Sequence, residues 1–148
     1  MSLEKKIMLD IKDAMRAKDS VKLEVCRAIK SALLLAKTEK KSIELSDQKE
    51  IEILQKLLKQ RKESEKIYIQ QSRNDLAQVE QNQGDIISQY LPSPYSVKEL
   101  ESIVDELIIK LGVESKKDMG KLMSEVIKYA KGRADGKTIS VVVKNKLN

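Results

Sequence analysis

The sequence has no histidine, no phenylalanine and no tryptophan, and its 148 residues include a single cysteine, Cys26. Without histidine, the commonest general base and the commonest metal-binding side chain are missing. One cysteine excludes an intrachain disulfide, a Cys-x-x-Cys redox pair and a cysteine-based zinc site. We therefore predict no catalytic residue, no metal site and no cofactor. We expect Cys26 to be a small, buried, apolar side chain.

Turn-forming and aromatic residues are also scarce, with two Pro, five Gly and four Tyr. A β-sandwich or β-barrel needs many turns and strands rich in β-formers, which this composition does not supply. Charged residues make up 35% of the chain, and apolar residues recur every three or four positions, as in amphipathic helices. These features predict an all-α protein.

Long apolar runs are missing as well. No run approaches the roughly 20 residues that a membrane-spanning helix requires. The first six residues alternate charged and apolar side chains and lack the apolar core of a secretory signal peptide. We therefore expect a soluble, cytoplasmic protein that has no membrane partner.

Apolar spacing and capping residues predict seven helices. They span about 3–18, 20–41, 46–72, 76–91, 97–111, 115–131 and 136–147. Gln83-Gly84 interrupts the apolar stripe of the fourth helix, and glycine inside a helix costs about 1 kcal/mol relative to alanine. The stretch 138–143 is β-branched and would suit a strand by propensity, but its apolar spacing of three and four residues favours a helix.

Both prolines lie in Leu91-Pro92-Ser93-Pro94-Tyr95. Because proline ends helices, this segment predicts a domain boundary. The expected domains are an N-terminal helical bundle over residues 1–91 and a small three-helix tail over residues 96–148. Ser96 and Glu99 have the spacing of a capping box, which begins the first helix of the tail.

Positive charge is concentrated at the end of the sequence. Residues 116–148 contain nine Lys and Arg against Asp118, Glu125 and Asp135, which accounts for the net charge of +6 of the whole chain. A basic surface of this density is typical of proteins that bind a polyanion. The alternative interpretation is a solvated basic face without a ligand.

The segment 131–137 joins the last two predicted helices. Asp135 is the expected N-cap of the last helix, and Gly136 is expected to leave first-turn N–H groups uncovered, where a phosphate can bind. Lys117, Lys121 and Lys128 have spacings of four and seven residues and predict a basic stripe on the sixth helix. The predicted nucleic-acid-binding residues are Lys117, Lys121, Lys128, Lys131, Arg133 and Lys137.

Two segments of the tail resemble the tail domain of the B subunit of tRNA-dependent amidotransferase. They are Lys117-Asp118-Met119-Gly120-Lys121-Leu122-Met123 and Lys131-Gly132-Arg133-Ala134-Asp135-Gly136. Three N-terminal segments resemble the stand-alone YqeY-like proteins. They are Leu58-Lys59-Gln60-Arg61-Lys62-Glu63-Ser64, Arg73-Asn74-Asp75-Leu76 and Tyr90-Leu91-Pro92. On these motifs the chain is identified as a member of the GatB/YqeY family.

The resemblance implies an all-helical bundle joined to a tail that engages the outer corner of tRNA. Our principal hypothesis is a protein that binds tRNA or another structured RNA through phosphates. Two alternatives stay open. One is an amidotransferase-like accessory protein, with carbon–nitrogen ligase activity and glutamine as amide donor implied by family likeness alone. The other is a protein-interaction adaptor.

Whether the protein is an enzyme is left open, because the catalytic part of the full B subunit has no counterpart in this chain. The N-terminal bundle is a candidate platform for a protein partner. Within it, Arg61 lies on the apolar stripe of the third helix. We expect it to pair with Glu24 or Glu80, and the alternative is an anion or partner site.

Overall fold

The computed structural model describes residues 2–40 and 44–147 and shows two compact units, Met1–Leu91 and Pro92–Asn148. All regular structure in the described residues is helical, which confirms the prediction of an all-α protein. None of the described helices is long and apolar enough to cross a membrane.

The first unit is built from two antiparallel helical hairpins. Its helices are α1 (Leu3–Ala17), α2 (Ser20–Lys40), α3 (Asp47–Gln70) and α4 (Asn74–Ser88). Helix α1 packs along α2, α3 packs along α4, and α2 connects the two pairs by contacting both α3 and α4. The predicted end of the second helix at Lys41 lies outside the described residues.

Each of these helices contributes one apolar stripe to a shared core. The largest buried side chains of this core are Ile7, Ile29, Leu33, Leu54 and Ile87. Cys26 is fully buried among them, which confirms its predicted role. Its Sγ lies 3.4 Å from the hydroxyl of Tyr90, which donates a hydrogen bond to the Asp10 carboxylate. Burial, together with these two contacts, raises the pKa of Tyr90.

The turn between α3 and α4 starts earlier than predicted. Ser72 adopts a left-handed conformation with φ 58°, and the N–H of Arg73 bonds back to the carbonyl of Tyr68 at 2.8 Å. This closed turn allows α4 to begin at Asn74 instead of residue 76. The helix ends at Ser88 instead of residue 91.

Helix α4 runs through Gly84 without a break. Gly84 is buried, and a Cβ built on it would meet Leu58 Cδ1 of α3 at 3.4 Å. The apolar stripe is interrupted there because the two helices approach closely at that point, and a small residue leaves room for Leu58.

A partly buried polar contact lies next to this close approach. Arg61 of α3 donates from Nε to Oε1 of Gln83 at 2.8 Å, and the same nitrogen is 3.9 Å from the Glu80 carboxylate. The predicted inter-helix pairing of Arg61 is confirmed, with Glu80 as the partner. Gln83 is buried and satisfied by this bond.

The second unit is a triangle of helices in which each helix contacts the other two. They are α5 (Val97–Leu111), α6 (Met119–Ala130), preceded by a 3₁₀ turn at Lys116–Asp118, and α7 (Gly136–Leu147). The predicted capping box at Ser96 and Glu99 is confirmed, with both reciprocal bonds at 3.1 Å. Helix α7 forms despite its β-branched residues because Ile139, Val142 and Val143 share its buried face.

We expect Gly84→Ala to raise the free energy of unfolding of the first unit by about 0.5–1 kcal/mol, because alanine favours the helical backbone. The added Cβ would meet Leu58 at 3.4 Å, an ordinary van der Waals distance. Urea denaturation followed by circular dichroism measures the change. Gly84→Leu is the control and should lower stability, since its larger side chain has no room against α3. A destabilised alanine variant would contradict this account.

Candidate nucleic-acid interface

Helix α6 carries its basic residues on the side opposite its core face. Leu122, Val126 and Ala130 point into the core of the second unit. Lys121 and Lys128, seven residues apart, therefore project from the outer face, and both are exposed. Lys128 is paired with Glu125, whose carboxylate lies 3.6 Å from its Nζ. This exposed i,i+3 pair reduces the local charge but contributes little to stability.

The turn after α6 is tight and has two successive residues with positive φ. Lys131 has φ 47° and caps α6 by donating its N–H to the carbonyl of Ile127, while Gly132 has φ 83°. The next N–H, from Arg133, bonds to the carbonyl of Ala130 at 2.9 Å. This reversal leaves the Lys131 side chain exposed at one end of the unit.

Arg133 is engaged within its own unit. Its Nε donates to the carbonyl of Ser93 at 2.8 Å, and its guanidinium lies 3.8 Å from the ring centroid of Tyr95. The carbonyl of Arg133 also accepts a bond from the N–H of Tyr95 at 2.6 Å. Arg133 therefore fastens the proline-bearing segment to the α6–α7 turn, a role that the sequence interpretation missed. The sequence offers Tyr95 beside a proline as a sign that this segment packs, but nothing local identifies the distant Arg133 as its partner.

The N-terminus of α7 differs from the expected phosphate pocket. The carboxylate of Asp135 accepts a bond from the N–H of Thr138 at 2.7 Å. Asp135 is the N-cap that the sequence predicted, but its carboxylate occupies a first-turn donor and brings a negative charge to the same place. We expected the first-turn N–H groups of α7 to be uncovered, and for the N–H of Thr138 this expectation is wrong. Lys137 is exposed in that first turn.

The six predicted residues lie at two ends of the second unit. We call Lys128, Lys131 and Lys137 the turn-end cluster, with Arg133 half-buried beside them. Lys117 and Lys121 lie at the other end of α6, where Lys117 and its neighbour Lys116 line an open depression with Leu147 of α7. We call Lys116, Lys117 and Lys121 the start-end cluster. Lys116 was not in the predicted set, and the antiparallel packing of α6 and α7 brings the end of α7 next to it.

Helix α7 adds a basic face of its own. Lys137 and Lys144 are seven residues apart, on the side away from Ile139 and Val143, and both are exposed. Because α6 and α7 pack on the same core, their outer faces point in different directions. The cations therefore cover two adjoining faces and not one flat surface.

Helix α5 carries four of the eight carboxylates of the second unit, and the other four are Glu114, Asp118, Glu125 and Asp135. Glu101 and Glu106 are exposed on this helix, and Asp105 pairs with Lys146 of α7 at 3.1 Å. Glu99 accepts the backbone bond of the capping box, which lowers the pKa of its carboxyl. The unit therefore presents an acidic helix on one side and basic helices on the others. Among the residues that the structure describes, no group of three or more acidic or cysteine side chains is arranged to hold a metal ion.

These features define an all-helical protein with two small units, the second of which carries exposed lysines on an antiparallel helix pair. The chain belongs to the family described as Yqey-like protein, which matches it over residues 4–147 and confirms the family prediction.

Curated relatives cover most of the chain. It is similar to the protein named "Altered inheritance of mitochondria protein 41, mitochondrial" from Pyrenophora tritici-repentis, with 31% identity over 87% of this chain and 71% of the relative. A protein of the same name from Saccharomyces cerevisiae (strain YJM789) is 29% identical over 93% of this chain and 77% of the relative. The one from Clavispora lusitaniae is 33% identical over 59% of this chain and 50% of the relative.

The names of these relatives overturn the predicted cytoplasmic location, because they describe mitochondrial proteins. The prediction relied on the missing apolar core of a secretory signal peptide. Mitochondrial targeting peptides are amphipathic and do not contain such a core. The criterion therefore excluded secretion and could not separate cytoplasm from mitochondrion.

We expect Arg133→Ala to lower the free energy of unfolding of the second unit by about 1–2 kcal/mol, through loss of the cation–π contact and the bond to Ser93. Hydrogen exchange at the N–H of Tyr95, which bonds to the Arg133 carbonyl, should accelerate as the segment loosens. Lys131→Ala, in the same turn, is the matched control and should leave that exchange unchanged. Equal exchange in both variants would show that the guanidinium does not hold the segment.

Proposed function

We propose that this protein binds tRNA or another structured RNA, and that the exposed lysines of the second unit contact its phosphates. The observation that carries the proposal is the distribution of charge on the 3₁₀ turn, α6 and α7. Lys117, Lys121, Lys131 and Lys137 are exposed there, and the structure gives none of the four an ion-pair partner among the residues that it describes. Exposed, unneutralised cations supply most of the sequence-independent affinity for nucleic acids.

Phosphate contact fits this surface better than base stacking. The second unit has two tyrosines, and the ring of Tyr95 is covered by Arg133. Tyr129 is about half exposed (51%) and stands on α6 without a second ring beside it. Proteins that bind single strands use successive aromatic side chains as stacking platforms. Recognition of a folded RNA by its shape and backbone is therefore the mode that these residues support.

The two clusters suggest how a folded RNA is contacted. Helix α6 has 12 residues, so its two ends are about 18 Å apart. The start-end and turn-end clusters are too far apart to share a phosphate. Each would contact a separate stretch of backbone, which positions an RNA without reading its sequence.

A salt titration tests the proposal. We expect labelled tRNA to bind in a fluorescence anisotropy assay, with an affinity that falls steeply as salt rises. Lys121→Ala and Lys137→Ala should each reduce the log–log salt slope by about 0.7–0.9 and weaken different tRNAs by similar factors. The matched control is Lys98→Ala, since Lys98 is exposed on α5 of the same unit.

Two outcomes would contradict the proposal. The first is tRNA binding that is absent or insensitive to salt. The second is an equal loss in the Lys98→Ala control, which would show that total charge matters and not the α6–α7 surface. Polyglutamate serves as a competitor, since a surface made for an acidic protein would bind it as well as tRNA.

A further inference from the structure

The first unit has a partly exposed apolar strip on the outer side of its first hairpin. Met8 and Met15, seven residues apart on α1, are 45% and 55% exposed. They lie on the flank of α1 that borders α2, because Glu4 on the same flank forms an ion pair with Lys37 of α2. Large apolar side chains that recur on one helical face are typical of a packing surface.

The flank of α2 that borders α1 carries similar residues. Lys37, the partner of Glu4, lies on this flank, and Leu34 and Lys30 precede it by three and seven residues. Arg27 lies seven residues before Leu34 and shares its side of the helix. Leu34 is 45% exposed, the same fraction as Met8. We call the surface formed by Met8, Met15, Leu34, Lys12, Arg27 and Lys30 the outer seam.

The charges along the outer seam are all positive. Lys12 and Arg27 are exposed and Lys30 is half-buried, and none of the three has an ion-pair partner among the described residues. Glu4 is bound by Lys37, and Asp10 accepts the hydroxyl of Tyr90. The remaining carboxylates of the two helices project from other sides: Asp13 lies away from the Met8–Met15 flank, and Glu24 and Glu39 lie on the flank of α2 that faces away from α1.

We propose that an acidic amphipathic helix of a protein partner lies in the outer seam. A groove between two antiparallel helices can accept a third helix in ridge-into-groove packing. Apolar residues of the partner would pack on the two methionines and Leu34, and its carboxylates would pair with Lys12, Arg27 and Lys30. Methionine adapts its shape to such a partner. RNA is the less favoured occupant, because phosphates gain nothing from three half-exposed apolar side chains in the centre.

Crosslinking in cells identifies the occupant. A photoreactive benzophenone amino acid replaces Leu34 in the full chain, cells are irradiated, and the adduct is digested with nuclease before mass spectrometry. We expect a nuclease-resistant adduct to a protein segment with helical apolar spacing and flanking Asp and Glu. A labelled synthetic peptide of that segment should bind the purified chain in an anisotropy titration.

Charge variants of the purified chain complete the test. Arg27→Glu and Lys30→Glu should each raise the Kd for that peptide at least tenfold, and the neutral Arg27→Gln should raise it less. Lys56→Glu is the matched control, because Lys56 is exposed on α3 away from the seam, and it should leave the Kd unchanged. Circular dichroism of each variant verifies its helical content. If a Glu variant does not fold, the Kd of Arg27→Gln compared with that of the unchanged chain still tests the proposal.

The proposal is overturned if the adduct is RNA, lipid, a second copy of the chain or a non-helical segment, if no adduct forms, or if Lys56→Glu weakens binding as much as Arg27→Glu. These outcomes leave the RNA proposal intact, because that proposal concerns lysines of the second unit and is measured with tRNA alone.

Discussion

Both units depend on the packing of aliphatic side chains from one stripe of each helix. The chain has no Phe or Trp, so each core is filled by Leu, Ile, Val and Ala, as shown by Leu54 and Ile87 in the first unit and Leu122 and Val126 in the second. Because one stripe of each helix is buried in the core, the helical period determines which residues point outward. This geometry sets the positions of the surface charges and of the exposed methionines on α1.

The basic residues of the second unit serve more than one purpose. Arg133 holds the proline-bearing segment through Ser93 and Tyr95, and Lys146 pairs with Asp105. Asp135 takes a backbone donor that would otherwise be open to a ligand. The cations that take no part in these contacts include the exposed Lys117, Lys121, Lys131 and Lys137. A count of charges along the sequence therefore overstates the available surface, because some cations serve the fold.

Sequence motifs predicted the family correctly, whereas the predicted cellular location was wrong. Motifs such as Lys117–Met123 and Lys131–Gly136 carry the family resemblance, and the match over residues 4–147 confirms it. Location is a different property, because import machinery recognises an address and not the composition of the folded part. The names of the fungal relatives therefore overturned the cytoplasmic prediction without affecting the fold.

The sequence by itself determined the helical class, the helix of Val97–Leu111 with its capping box, the burial of Cys26 and the pairing of Arg61 with one of two glutamates. These features depend on local periodicity and on caps, which involve residues a few positions apart. Only the tertiary structure decided which glutamate pairs with Arg61, that Arg133 stacks on Tyr95, and that the lysines of α6 and α7 project from different faces. The physical reason is that these contacts join residues far apart in the chain, and their geometry depends on how the helices pack on a common core.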